Sequence, residues 1–207
     1  MLKYLLQGLI LGFAYVAPIG TQNLYVINTS IRQGRSKALL VALMTVLFDI
    51  SLAMSCFFGI GFVLSRLPAL RTALLMAGSV AVTFIGVRLV RSPATVSSGV
   101  ALRDSLVKVA ADCFVVTWLN PQAIVDGTLL LGGMRASLSG EASNYFMLGV
   151  CSASVIWFTL LALLVSAFRS WLDRAVRLIS MVCGAVIVLY GLRLGYSLIR
   201  SLPIGGM

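Results

Sequence analysis

Histidine, acidic residues and paired cysteines are absent or scarce in this 207-residue chain. The lack of any histidine argues against a zinc, haem or copper centre. The four cysteines fall inside apolar runs and form no CxxC pair, so we expect buried thiols rather than a disulfide framework. We predict that the chain holds no metal and no cofactor. The cysteines are Cys56, Cys113, Cys151 and Cys183.

Charge is also scarce: charged residues are 11% of the chain, against 60% hydrophobic residues. A soluble domain does not need so much apolar surface, so the expected solvent is the lipid bilayer. The net charge of +10 would suit nucleic acid, but the basic residues lie between apolar runs rather than on one face. We therefore expect them to hold loops on the cytoplasmic side, and we expect no nucleic-acid partner.

Six apolar runs predict six transmembrane helices and hence an all-α integral membrane protein. A polar stretch with serine, glycine and proline, at 93–104, predicts a linker inside a single transmembrane domain. The halves on either side are 1–92 and 105–207. The predicted spans are about 4–31, 38–64, 71–88, 109–134, 145–168 and 177–193.

The first and fourth spans each contain a proline among polar residues. Pro18 lies in Ala17-Pro18-Ile19-Gly20-Thr21-Gln22-Asn23, and Pro121 lies in Asn120-Pro121-Gln122-Ala123-Ile124-Val125-Asp126. Proline removes a backbone donor and crowds the preceding turn, so we expect both helices to break there. In a membrane such breaks are tolerated inside a bundle or beside a watery cavity. Two broken helices in matching halves indicate the substrate site of a transporter.

The two halves also match in spacing. Pro18 precedes Arg88 by 70 residues and Pro121 precedes Arg193 by 72, and each arginine lies in a Gly-x-Arg-Leu segment. A duplicated unit of three helices must cross the membrane in the opposite sense the second time. The spacing therefore predicts two inverted three-helix repeats, the symmetry used in alternating access.

Lysines and arginines are unequally divided between the two sides of the predicted topology. The loops after spans one, three and five hold ten of them, and the termini with the other loops hold six. By the positive-inside rule, both termini are predicted to be periplasmic.

Three of the six acidic residues fall within predicted spans: Asp49, Asp112 and Asp126. A carboxylate at mid-membrane costs about 2.5–3.5 kcal/mol, which favours a function for the deeper Asp49 and Asp126. They would bind a cationic group, carry a proton, or both; alternatively, each caps a helix end or pairs with a neighbouring hydroxyl or amide. Half-helix N-termini suit a carboxylate and free carbonyls suit an ammonium group, so an amino acid is the expected substrate.

The two proline motifs, Phe48-Asp49-Ile50 and Ser152-Ala153-Ser154 with Trp157 resemble the lysine exporter (LysE/ArgO) family of bacterial transporters over essentially the whole chain. The resemblance implies a secondary transporter of the inner membrane, not an enzyme, that exports lysine or arginine. It also implies coupling to protons or to the membrane potential. Thr21 and Gly127 depart from the family pattern, which usually has proline and threonine there. The residues that match the family motifs form the predicted substrate site: Pro18, Gly20, Gln22, Asn23, Asp49, Asn120, Pro121 and Asp126.

Three alternatives remain open at this stage. An exporter of neutral amino acids such as threonine or homoserine would typically lack an acid like Asp49. An intramembrane aspartyl protease would use Asp49 and Asp126 as a dyad, although no GxGD-type stretch surrounds either residue. A thiol-disulfide conductor would need an activated cysteine pair. The sequence also leaves open whether the chain acts as a monomer or a homodimer.

Overall fold

The computed structural model of the chain describes most of the first five predicted spans and short pieces of the sixth. Within the described residues every regular element is a helix, so the all-α prediction is confirmed there. The predicted linker, 93–104, lies outside them. The described residues are 1–59, 66–91, 106–135, 137–138, 140–168, 178, 181–183, 185–189, 192–193 and 196.

The first predicted span consists of two helices, α1 (Leu2–Val16) and α2 (Thr21–Gln33). The chain bends by 76° between them. The last backbone bond at the end of α1 runs from the Ala17 N–H to the Phe13 carbonyl, 2.9 Å away. Pro18 has no N–H with which to continue this ladder, so α1 ends as the sequence predicts.

Helix α3 (Arg35–Phe57) follows α2 after the single residue Gly34, whose φ of 81° is one that glycine adopts readily. The predicted span, 38–64, begins three residues too late, and its last part lies outside the described residues. The buried positions of α3 recur every three or four residues, the spacing of one helix face. They are Ala38, Val41, Ala42, Thr45, Val46, Asp49, Leu52, Ala53, Cys56 and Phe57.

Helix α4 (Pro68–Arg91) extends beyond both ends of the predicted third span. Helix α5 (Leu106–Trp118) ends before Asn120, and the chain then bends by 61° into the segment 123–135. The predicted break at Pro121 is thereby confirmed. The chain after this break is irregular, which the sequence did not predict. It consists of α6 (Pro121–Gly127), a π-helical turn (Thr128–Gly132) and α7 (Gly133–Arg135).

Helix α8 (Glu141–Ala167) begins four residues before the predicted span and packs closely against α1. A methyl group added at Gly8 would overlap the Phe146 carbonyl, and one added at Gly149 would overlap the Leu5 carbonyl. At Gly12 it would lie 2.7 Å from Ala153 Cβ. These small residues let the two backbones approach, as in other membrane helix pairs.

Within the described residues, α3 and α8 are each long and apolar enough to cross a membrane. The pair α1 and α2 meets the same criteria as one broken span, as does α5 with 123–135. Large apolar side chains such as Leu39, Leu43 and Leu47 are exposed on the outer face of α3, where lipid would cover them. These are the helices of a membrane protein; the six-span inverted repeat stays a prediction.

Candidate substrate site

Helix α2 is both polar and buried, and it packs against α3, α5 and α8. Because buried polar groups need hydrogen-bond partners, this helix defines where such partners must lie. At 13 residues it is about 20 Å long by the rise of an α-helix, too short to cross a bilayer alone. Its buried polar residues are Thr21, Gln22, Asn23, Asn28, Thr29 and Ser30.

The carboxyl group of Asp49 lies at the centre of this polar region and is 0% exposed. The Ser154 hydroxyl of α8 donates to Asp49 Oδ2 at 2.5 Å, and Gln22 Nε2 of α2 donates to Oδ1 at 3.4 Å. Both donors are neutral, and no lysine or arginine among the described residues is within ion-pair distance of Asp49. Three helices thus converge on a buried acid that has no counter-charge in the part of the chain that the structure describes.

The carbonyls freed by the first break are bound by Asn23. Its Nδ2 donates to the carbonyl oxygens of Val16 at 3.0 Å and Pro18 at 2.7 Å. Trp157 Nε1 of α8 donates to Asn23 Oδ1 at 2.9 Å. Both ends of the Asn23 amide therefore have protein partners, and this side chain stabilises the end of α1.

Pro18 and Gly20 form the open side of the same break. Pro18 is exposed and Gly20 is partly exposed. Gly20 has φ −116° and ψ −171°, an extended conformation that any residue can adopt. A methyl group added there would meet only the Pro18 carbonyl, at 4.0 Å, so a side chain at position 20 would be accommodated.

The two breaks are joined directly through Thr21. Its hydroxyl donates to the Val116 carbonyl at 2.9 Å and accepts a hydrogen bond from Asn120 Nδ2 at 3.2 Å. The first residue of α2 is thereby connected to the last turn of α5 and to the residue before Pro121. The sequence predicted each break separately but not this link between them.

Asp126 lies on α6 and is partly buried. The oxygens of Asp49 bind Ser154 and Gln22 instead of Asp126, so the two acids do not form the proton-sharing pair of an aspartyl protease. All four cysteines are free thiols in the structure. Cys56, Cys113 and Cys183 are buried, as predicted, and Cys151 is partly buried.

Ser154 and Trp157, which bind Asp49 and Asn23, are not among the predicted site residues. A spacing in the sequence could have drawn attention to Ser154. Ser51 follows Pro18 by 33 residues, and Ser154 follows Pro121 by the same number. In the structure Ser51 binds a side chain next to the second break, since it accepts a 3.0 Å hydrogen bond from Trp118 Nε1.

Comparison with known proteins places this arrangement in a family. Residues 13–198 match the model of the LysE type translocator family. No solved structure matches the chain. The fold and the polar centre therefore belong to a helical membrane translocator, and the chain is a member of the LysE type translocator family, as the sequence motifs predict.

Curated relatives extend over nearly the whole chain. The arginine exporter protein ArgO of Pectobacterium carotovorum subsp. carotovorum is 33% identical over 200 residues, covering 94% of this chain and 96% of the relative. The ArgO protein of Serratia proteamaculans is 34% identical with the same coverage. That of Salmonella schwarzengrund is 32% identical and covers 94% of each chain.

Proposed function

We propose that this protein is a secondary transporter that exports a basic amino acid, arginine or lysine, across the bacterial inner membrane. The observation that carries the proposal is the buried carboxyl group of Asp49, whose hydrogen-bond partners among the described residues, Ser154 and Gln22, are both neutral. Removing an unpaired carboxylate from water is costly, so Asp49 is stable there either protonated or paired with a cation. Alternation between these two states is the chemistry of exchange between a cationic substrate and a proton.

The names of the relatives support the choice of a cationic substrate. The similar curated proteins are named as arginine exporters, and they cover 94% of this chain. A guanidinium or ammonium group would replace a proton as the partner of Asp49. Asp126, on the segment after the second break, is the second acid that we assign to the cationic side chain or to the proton.

The two broken helices supply groups for the amino-acid head. Helix α2 begins at Thr21 with no side-chain cap among the described residues, so its first N–H groups suit the substrate carboxylate. Backbone carbonyls near Pro18 and Pro121 suit the α-ammonium group. In this proposal Asn23 and Asn120 stabilise the conformation of the two breaks rather than bind the substrate directly. The Asn23 amide donates to two backbone carbonyls, and the Asn120 amide donates to Thr21.

For the whole chain we propose six spans, arranged as two inverted three-helix repeats. Residues 1–92 form the first repeat, 93–104 the linker and 105–207 the second. Both termini are then periplasmic. Labelling of single introduced cysteines with a membrane-impermeant maleimide tests this topology, in a variant whose four native cysteines are replaced. Labelling at position 1 from the cytoplasmic side alone would contradict it.

The experiment that tests the function is efflux from proteoliposomes preloaded with labelled arginine, lysine or threonine, with and without an imposed proton gradient. We expect gradient-dependent loss of arginine or lysine and retention of threonine. Equal loss of all three would favour a neutral amino-acid exporter. No loss of any, from protein shown to be folded, would refute amino-acid export.

The matched variants for this experiment are Asp49→Asn and Asp112→Asn. Asparagine keeps the shape of each side chain and removes its charge. Asp112 is only partly buried and accepts a hydrogen bond from the Tyr25 hydroxyl at 3.0 Å, away from the Ser154 contact. We expect Asp49→Asn to abolish export of the cation and Asp112→Asn to retain it, at equal abundance in the membrane.

A further inference from the structure

Tyr15 is a buried residue that the sequence did not single out. It lies in the last turn of α1, three residues before Pro18, and only 9% of its surface is exposed. Its hydroxyl has no hydrogen-bond partner in the part of the chain that the structure describes. A buried hydroxyl left without a partner is destabilising, so its presence calls for a ligand or water that binds it.

The Tyr15 ring and the Cys56 thiol both lie beside Gly127. A methyl group added at Gly127 would lie 3.2 Å from Tyr15 Cε2 and 2.9 Å from Cys56 Sγ. Cε2 is bonded to the carbon that carries the hydroxyl, so the hydroxyl end of the ring lies beside the residue that follows Asp126. Glycine at position 127 leaves the space that this ring occupies.

The same hydroxyl is within electrostatic reach of two acids of the proposed site. Asp49 and Asp126 are both close enough to Tyr15 to interact with it electrostatically, as is Cys56. These residues come from α3 and α6, whereas Tyr15 comes from α1. The hydroxyl of Tyr15, on α1, thus lies within electrostatic reach of one carboxyl group from α3 and one from α6.

The spacing of the two halves is consistent with the lack of a partner for this hydroxyl among the described residues. Trp118 stands three residues before Pro121, as Tyr15 stands before Pro18, and its Nε1 donates to Ser51. By the same spacing, the serine available to Tyr15 would be Ser154. The Ser154 hydroxyl instead donates to Asp49, which leaves the hydroxyl of Tyr15 for another group.

We propose that Tyr15 positions the transported amino acid, with its hydroxyl hydrogen-bonded to the cationic substrate between Asp49 and Asp126. A tyrosine hydroxyl accepts a hydrogen bond from a guanidinium or ammonium group and donates one to a carboxylate. It therefore suits either end of a basic amino acid. This inference rests on the export of a basic amino acid proposed above.

The test is Tyr15→Phe in the full-length protein, with Tyr25→Phe as the matched control. Phenylalanine keeps the ring against Gly127 and Cys56 and removes only the hydroxyl. We expect the half-saturating arginine concentration for efflux to rise roughly tenfold or more, as for the loss of a hydrogen bond to a charged group. The thermal unfolding midpoint should not fall, because the hydroxyl has no partner among the described residues.

Tyr25→Phe should give the opposite pattern, since it removes a hydrogen bond to Asp112. Its unfolding midpoint should fall while its half-saturating concentration stays near that of the wild type. A second variant, Gly127→Ala, displaces the Tyr15 ring without removing the hydroxyl, and we expect it also to raise the half-saturating concentration. For both Tyr15→Phe and Gly127→Ala, the half-saturating arginine concentration should rise by a larger factor than the maximal efflux rate falls.

Three outcomes would overturn the inference. If the wild type exports arginine and Tyr15→Phe has the same half-saturating concentration, the inference fails and the proposed function stands. If the unfolding midpoint of Tyr15→Phe falls as that of Tyr25→Phe does, and export falls only in proportion to the amount of folded protein, Tyr15 stabilises the fold and does not position the substrate. If the wild type exports no basic amino acid, the proposed function fails and this inference fails with it.

Discussion

Ser154 and Asp49 are 105 residues apart in sequence and share a 2.5 Å hydrogen bond in the bundle centre. The serine lies on α8 and the acid on α3. Among the described helices, these are the two that are each long and apolar enough to span a membrane unbroken. A hydroxyl donor stabilises the charged form of a carboxyl group without neutralising it. In the proposed mechanism this bond holds Asp49 in place for the cationic substrate.

Ser154→Ala should reduce both stability and export. It removes one of two donors to a buried carboxyl group, at a cost of roughly 1.5–3 kcal/mol for a hydrogen bond to a charged group. Thermal unfolding in detergent measures the first effect and arginine efflux the second. Ser152→Ala is the control on the same helix, because that hydroxyl is exposed and donates only to Leu148 of its own helix. Equal effects of the two substitutions would contradict the role of Ser154.

Asn23→Asp should be more damaging than Trp157→Phe. Aspartate can accept the indole hydrogen bond but cannot donate to the carbonyls of Val16 and Pro18, so two buried acceptors lose their donor. We expect a loss of roughly 2–5 kcal/mol in the first variant and about 1 kcal/mol in the second, from the usual costs of unmade hydrogen bonds. Unfolding midpoints of the two purified variants check the order. The reverse order would show that Asn23 does not hold the end of α1.

Thr21→Val should weaken the link between the two breaks, and Thr21→Ser should preserve it. Valine has nearly the shape of threonine but cannot donate to Val116 or accept from Asn120. Serine retains the hydroxyl. We expect Thr21→Val to lose about 1–3 kcal/mol of stability and most of its export rate, whereas serine stays within about 0.5 kcal/mol. Similar export by the valine and serine variants would show that transport does not depend on the hydrogen bonds of the Thr21 hydroxyl.

Gly8→Ala should destabilise the packing of α1 against α8, and Gly133→Ala should not. A methyl group at Gly8 would overlap the Phe146 carbonyl, a backbone atom that cannot move without shifting α8. Within the described residues a methyl group at Gly133 would meet nothing within 4 Å. We expect a loss of about 1–3 kcal/mol at Gly8, as for overpacking of a core. Equal yields and unfolding midpoints for the two variants would argue against the close approach of these helices.

Both helix breaks could be predicted from the sequence because each has a local cause. Proline at 18 or 121 lacks the backbone donor that a continuous helix requires, and this holds whatever surrounds it. The burial of Asp49 also has a local cause, because a carboxyl group is costly in lipid and therefore faces the interior of a helix bundle. Such features depend on a few adjacent residues.

The partners of the site residues could not be predicted, because each depends on packing between distant segments. Nothing adjacent to Thr21 indicates that it meets Asn120, and nothing adjacent to Tyr15 indicates that its ring lies against Gly127. The π-helical turn after Gly127 also arises without a proline or other local signal. Contacts of this kind, such as the one between Ser154 and Asp49, are therefore visible only in the structure.

The most direct test of the central claim is arginine binding to the purified protein and to Asp49→Asn, measured by isothermal titration calorimetry in detergent. The account predicts that the wild type binds arginine and that Asp49→Asn loses that binding by roughly a hundredfold or more, as when a buried ion pair loses one partner. Unfolding midpoints show that both proteins are folded. Equal binding of arginine by the two proteins would contradict the claim that Asp49 is the counter-charge of the substrate.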